Sequence, residues 1–305
     1  MKIILIISTM RAGGAERVMS ELACHFARQG HDVTLVLETT PEEKPFYPLD
    51  PKIRVLHTSC FKENQGFVAR MVTIVRSIKT IRQILKREKN HVVVSFLDTV
   101  NMKTILANMG LGFKLLVSER TNPFYHRIPR LYNWMRILLY PFASTLVVQT
   151  SSVAEYFSPR ISKVIIPNPI RPCDHIKTHH QEQISHIAAV GRLSPEKDHQ
   201  TLIKAFKLYV MSNPHARLII YGEGPLRPNL ETLIQQEGLE SHVTLFGKTD
   251  QIHQELRKAD LFIFPSLYEG FPNALLEAMS LGLPVIASNV TGNVDIIQDN
   301  VNGLL

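Results

Sequence analysis

Cysteine is scarce in this chain of 305 residues: Cys24, Cys60 and Cys173 are the only three. They are odd in number and widely spaced. They make neither a disulfide framework nor a zinc-ligand pattern, and a reducing compartment fits them. No run of 18 apolar residues occurs, so no spanning helix is predicted. Met1-Lys2 before Ile3–Ile7 gives too short an apolar core for a signal peptide, with no cleavage site, and reads instead as a buried first strand. There is no internal repeat and no low-complexity segment. No clustered His/Asp/Cys set is present, so no metal is expected. Zinc-finger, RRM-like and KH-like signatures are missing, which argues against nucleic acid as a partner. Neither Gly-x-Gly-x-x-Gly nor a P-loop occurs.

Hydrophobic residues make up 45% of the chain, enough for the cores of two α/β domains of about 150 residues each. Charge is unevenly divided. Residues 1–170 carry 23 Lys and Arg against 12 Asp and Glu; residues 171–305 carry 11 against 15. A basic first half points to an anionic partner, such as acidic lipid or a phosphate-bearing acceptor. Apolar runs alternate with helical periodicity. Strands are predicted at 3–7, 33–37, 53–56, 92–96, 114–117, 146–149 and 164–166. After a polar stretch the pattern restarts at 187–190, 218–221, 243–246, 261–264 and 285–287. Strands alternating with helices of 10–15 residues give parallel sheets of βαβ units. The expected organisation is a Rossmann-like domain over 1–170, a linker over 171–185 and a second Rossmann-like domain over 186–305. Ligands would bind beyond the carboxyl ends of the strands, in the cleft the two domains face.

The second half carries the sharper motifs. Phe264 to Met279 reads as a strand end, a Pro/Gly-punctuated loop bearing Glu269, and a helix opening near Asn273 with Glu277 one turn inside. Backbone N–H groups at such a helix start favour an anion, and the carboxylates can accept from sugar hydroxyls. Two solvated glutamates would be the plainer reading of that spacing alone. Upstream, Val190 to Asp198 follows the first strand of the half. Here Gly191 permits close approach, and Arg192 and Lys197 can converge on a diphosphate, as a fork of donors and a compact charge. Tyr221-Gly222-Glu223-Gly224-Pro225 and Phe246-Gly247-Lys248 end two further strands; each is equally a tight turn.

In the first half, Ser8–Arg17 follows β-type sequence and opens a helix. Gly13 and Gly14 there allow close backbone approach to an anion, though a tight strand–helix turn explains them as well. A long helix is predicted from Phe67 to Lys89. Val68, Val72, Val75, Ile78, Ile81 and Leu85 make its apolar face, and Arg76, Lys79, Arg82 and Lys86 a basic one. That basic face is either solvated or set against an anionic membrane or lipid-linked diphosphate. A second basic, aromatic helix is predicted over Arg127–Phe142, with Arg130, Tyr132, Trp134, Arg136 and Tyr140. Ser118-Glu119-Arg120-Thr121-Asn122-Pro123 closes a strand, with either an acceptor-facing role or a structural Glu119–Arg120 pair.

Together these segments resemble the retaining, nucleotide-sugar-dependent glycosyltransferases of the GT-B fold, often grouped as family 4, whose Glu-x7-Glu motif matches Glu269 and Glu277. Most of the chain is covered. The resemblance implies that Glu269 contacts the donor sugar and Glu277 the ribose. It further implies that amides near Phe271, Asn273 and Ala274 face sugar and phosphates, and that Arg192 and Lys197 neutralise the leaving diphosphate without a metal. Gly13-Gly14-Ala15-Glu16 matches the family's loop near the acceptor and the donor phosphates. Many members have a histidine near the Ser118–Pro123 loop; here the nearest is His126. The form of that loop resembles a subgroup extending polyprenyl-diphosphate-linked glycans, which makes Glu119 and Arg120, with Arg76, Lys79 and Arg82, acceptor or membrane contacts. The implied activity is sugar transfer to a lipid-linked glycan at the inner face of the plasma membrane. A nucleotide-sugar-binding scaffold or an epimerase on the same fold are the alternatives. Family members usually continue with further helices beyond this point, so the second domain is expected to be truncated.

Overall fold

The computed structural model describes residues 1–59, 66–88, 91–125, 128–170 and 183–305. The chain divides into two compact units, Met1–Asn168 and Pro169–Leu305. Most of the expected linker, like His126, lies outside the described residues. Its last part does not stand apart. Ile184 packs on the core of the second unit, its carbonyl accepts from Tyr209 Oη at 2.8 Å, and the Ser185 amide donates to Asp260 at 3.1 Å.

The first unit holds β1 (Lys2–Ile7), β2 (Asp32–Leu37), β3 (Arg54–His57), β4 (His91–Phe96), β5 (Lys114–Ser118), β6 (Thr145–Val148) and β7 (Lys163–Ile165). They form one sheet in the order β3-β2-β1-β4-β5-β6-β7, with every neighbour parallel. The near-continuous apolar run of β1 suits a strand covered on both faces. Its pleat sends Ile3, Leu5 and Ile7 to a core shared with Val18, Met19 and Ala23 of α1 (Gly14–Arg28). Ile4 and Ile6 face the other core, with Ile81 and Leu85 of α2 (Phe67–Arg87), Ile105 of α3 (Asp98–Asn108), part-buried Met135 and Leu139 of α4 (Arg130–Leu139) and Val153 of α5 (Ser151–Tyr156).

The apolar face predicted for α2 holds only in its later turns. Ile81 and Leu85 are buried, but Val72 and Val75 are about half exposed, as is Met71. The side chain of Val68 lies outside the described residues. The earlier turns of α2 thus carry apolar side chains that the sheet does not cover. The helix predicted from Arg127 begins at Arg130, with Pro129 at its cap, because proline is well suited to a helix start and cannot donate within it.

The second unit holds β8 (His186–Val190), β9 (Arg217–Tyr221), β10 (Val243–Gly247), β11 (Leu261–Phe264) and β12 (Val285–Ala287). Their order is β10-β9-β8-β11-β12, again all parallel. Helices α6 (His199–Ser212) and α7 (Arg227–Gln236) cover one face, while α8 (Ile252–Leu256) and α9 (Asn273–Ser280) cover the other. All twelve predicted strands are present. In each sheet the order reverses once, between β1 and β4 and between β8 and β11. Connections leave for opposite faces at such a switch point and open a crevice beyond the strand ends. Among the described residues no helix is long and apolar enough to cross a membrane.

Candidate active site

The switch point of the second sheet brings together two distant loops. One leaves β8 and carries Gly191, Arg192 and Lys197. The other leaves β11 and carries Glu269. Lys197 Nζ and a carboxylate oxygen of Glu269 form a part-buried ion pair, and the same ammonium lies 5.1 Å from the centroid of the Phe264 ring. An aromatic face beneath a cation holds it by its quadrupole. A backbone bond from the Leu267 amide to the Glu196 carbonyl, 2.9 Å, ties the loops to each other. Arg192 is exposed on the first of them.

Close backbone packing fixes this arrangement. Gly222, at φ +149°, lies where an added Cβ would come within 1.9 Å of the Gly191 carbonyl oxygen. Only glycine allows that approach without moving the Lys197 loop. Gly292, at φ +92°, supports the other loop in the same way, since a Cβ there would stand 2.7 Å from the Gly270 carbonyl oxygen. The α9 helix then opens at Asn273 behind Pro272, with no side-chain cap. Phe271, Asn273 and Ala274 are partly exposed at this start, and Glu277 is buried one turn deeper. His253 of α8 faces it, Nε2 to Oε2 at 3.8 Å.

Sequence reasoning missed three members of this neighbourhood. Phe264 reads only as a strand residue. His253 stands 24 positions from Glu277 and belongs to no motif. His199 directly follows the Lys197 loop, and its ring packs on Gly191 beside the stem of Lys197. It is almost wholly buried, and neither ring nitrogen has a well-aligned hydrogen-bond partner. Burial, with the Lys197 charge acting in the same direction, holds its pKa down at about 4.

The first unit treats its predicted residues differently. Gly13 and Gly14 do follow β1 into α1. The Gly13 carbonyl accepts from Tyr47 Oη at 3.2 Å, and burial raises the carboxyl pKa of nearby Glu16. Glu119, expected to face an acceptor, is instead enclosed beneath the sheet edge. It accepts from Tyr140 Oη at 2.8 Å and lies 3.8 Å from Arg136. Burial pushes its pKa up to about 7, against the Arg136 charge and helped by Asp98. Arg120 makes no pair with it. Its guanidinium lies 4.0 Å from the Phe96 ring centroid and donates to Asn168 at 2.6 Å.

Arg76 and Lys79 are exposed on α2. Arg82 is not available in the same way, because it donates to the carbonyls of Ala107 and Met109 at 2.8 and 2.6 Å. There it satisfies the last turn of α3, where carbonyls lack helical partners and a cation is favoured. Arg136 and Tyr140, read as part of a basic aromatic surface, are both buried.

Two loops thus meet at a switch point, with a lysine, a carboxylate and the start of α9, groups that by their chemistry can receive an anion and sugar hydroxyls. A family model for the glycosyl transferase 4-like domain matches residues 13–169, just over half of the chain, and one for glycosyl transferases group 1 matches 173–305. The chain belongs to the glycosyltransferases of this 4-like, group 1 family. This glycosyltransferase is 30% identical over 309 residues to the GalNAc-alpha-(1->4)-GalNAc-alpha-(1->3)-diNAcBac-PP-undecaprenol alpha-1,4-N-acetyl-D-galactosaminyltransferase of Campylobacter jejuni, covering 100% of this chain and 84% of the relative. It is 25% identical over 319 residues to the N-acetylgalactosamine-N,N'-diacetylbacillosaminyl-diphospho-undecaprenol 4-alpha-N-acetylgalactosaminyltransferase of the same organism, covering 100% and 85%. A TarM variant of S. aureus, solved with Fondaparinux, alpha-GlcNAc-glycerol and UDP, superposes with a TM-score of 0.80 over 100% of this chain and 89% of that one, at 14% identity. That likeness fixes the fold of this glycosyltransferase as GT-B.

Proposed function

We propose that this glycosyltransferase moves a sugar, with retention of configuration, from a nucleotide diphosphate donor to a hydroxyl of a glycan carried on a polyprenyl diphosphate. The observation that carries the reading is the Lys197–Glu269 pair above Phe264, near the start of α9. Within the pair the two charges neutralise each other. Donor binding exchanges partners: the diphosphate takes Lys197 and Arg192, and a sugar hydroxyl takes Glu269. The amides at Asn273 and Ala274 add a fixed positive field to the phosphates, and Glu277 takes the ribose.

Catalysis is then electrostatic. Lys197, Arg192 and the helix start stabilise charge that grows on the diphosphate as its bond to the anomeric carbon breaks. The acceptor oxygen forms the new bond from the same face, and its proton passes to the departing phosphate oxygen. No side chain is needed as a nucleophile, and no metal is required to neutralise the leaving group.

The lipid-linked acceptor is supported by the two Campylobacter relatives, whose names carry undecaprenol diphosphate glycans. A membrane surface is supported by the first unit. Leu131, Trp134, Ile137 and Leu138 of α4 and Phe142 just after it are each more than half exposed. Met71, Val72 and Val75 of α2 stand beside exposed Arg76 and Lys79. Both helices pack against α3, on one side of the sheet. Apolar and aromatic side chains with flanking cations suit the interface of an acidic bilayer. We place the enzyme in the cytoplasm, on the inner face of the plasma membrane. The test incubates the chain with UDP-N-acetylhexosamines and a polyprenyl-diphosphate glycan acceptor in acidic vesicles. An acceptor product with the donor's anomeric configuration is expected. An inverted product overturns retention, and turnover that ignores the acceptor overturns transfer.

A further inference from the structure

The buried carboxylate of Glu277 needs a counter-charge or donors, since an ionised carboxyl is costly to enclose. From α8, the group that meets it is His253, at 3.8 Å. That distance exceeds a direct hydrogen bond, so the imidazole acts on the carboxylate as a polar neighbour that orients it.

The mounting of His253 is rigid. Ile252 and Leu256, four positions apart on α8, pack into the same core as Leu275 and Ala278 of α9. The Leu256 side chain is wholly buried. Glu255 of the same short helix accepts from Tyr221 Oη at 3.3 Å, which anchors α8 to the end of β9. The two helices therefore share one apolar floor, and the His253–Glu277 pair stands above it. The ring is about a quarter exposed and the carboxylate much less, so the pair sits where the site meets solvent.

We propose that His253 is a positioning residue for the nucleotide: it holds the Glu277 carboxylate in the orientation that takes ribose hydroxyls, and so sets the preference for a ribonucleotide over a deoxyribonucleotide. The inference rests on the reading of Glu277 as the ribose contact and adds the residue that makes that contact selective. With the ring removed, the carboxylate is held less closely on the α8 side and meets the sugar ring less well. The loss then appears in the ribose/deoxyribose ratio rather than in overall folding.

Calorimetric titration of the full chain with UDP, GDP and their 2′-deoxy counterparts tests this. The better of the two ribonucleotides is expected to bind about tenfold or more tighter than its deoxy form, as for a hydrogen bond to a charged group. In His253→Ala the ratio falls to about twofold, and His253→Gln, which keeps a donor, restores most of it. Should His253→Ala not fold, His253→Leu makes the same comparison with the volume kept. A ratio unchanged in the Ala or Leu variant overturns the role of His253 while leaving the Glu277 reading intact. A wild-type chain that does not discriminate, or that binds neither nucleotide, overturns the ribose reading itself, and Glu277→Gln with a wild-type ratio does the same.

Discussion

At the carboxyl edge of the first sheet, charge is enclosed; at that of the second, it lies within reach of a ligand. Glu119 and Arg136 are both essentially inaccessible, whereas Lys197 and Glu269 keep 20% and 12% of their side-chain surface exposed. The first pair is locked by further bonds. Arg136 donates to Asn133 and Tyr156 at 2.8 Å each, and Tyr140 also accepts from Asn101 at 3.3 Å. Such a network fixes the shape of an edge but offers no charge to a substrate. The second pair is part-exposed and lies over a single aromatic face. The two units share a fold, and what separates them chemically is how deep the charged residue sits after the strand ends.

The largest effect is expected at Arg136. Above pH 7, where Glu119 is ionised, Arg136→Met leaves a buried carboxylate without its cation, which should destabilise the first unit by about 3–5 kcal/mol. Chemical denaturation measures the loss. Hydrogen exchange should assign it to peptides from residues 91–160 and leave those from the second unit protected.

The next largest effect is a pair of opposite pH responses. Glu119 holds its proton to about pH 7 in the folded chain, against an ordinary value of 4.5. Its contribution is therefore full below pH 4.5 and is lost as pH rises toward 7. His199 is held at about 4 against 6.5. Its contribution is full above pH 6.5 and is lost as pH falls toward 4. Each amounts to about 3 kcal/mol over its window. Exchange protection followed from pH 4 to 7 should fall in the first unit and rise in the second. Glu119→Gln should flatten the first slope and His199→Phe the second; slopes that survive these changes would refute the assignment.

The smallest effect lies at the helices proposed to meet a membrane. Reversing Arg76 and Lys79 to Glu should weaken binding to acidic vesicles by about 1 kcal/mol per residue. The same change at Arg82 should instead lower thermal stability, because Arg82 closes the last turn of α3. Vesicle co-sedimentation beside melting curves separates the two outcomes.

How far the sequence carried depends on the range of the forces involved. Strands β1, β8 and β11 announce themselves through apolar runs, because covering both faces demands them. The Lys197 and Glu269 loops were legible too, since each lies within one short motif after a strand. Depth was not legible. Whether Glu119 or Arg82 reaches solvent depends on Tyr140, Ala107 and Met109, which come from other elements. Likewise Val72 and Val75 fit an apolar helical face, yet that face outruns the sheet beneath it. His253 was invisible for the same reason, as its partner is set by how α8 and α9 share a core.

Lys197 and its neighbour Arg192 carry the proposed diphosphate site. The most direct measurement is donor turnover by a folded Arg192→Ala, Lys197→Ala variant at saturating acceptor. Removing the charges that meet the leaving group should raise the barrier by roughly 3–4 kcal/mol, a fall of about two to three orders of magnitude in rate, with the melting temperature little changed. Turnover within a few-fold of the wild type would contradict the account.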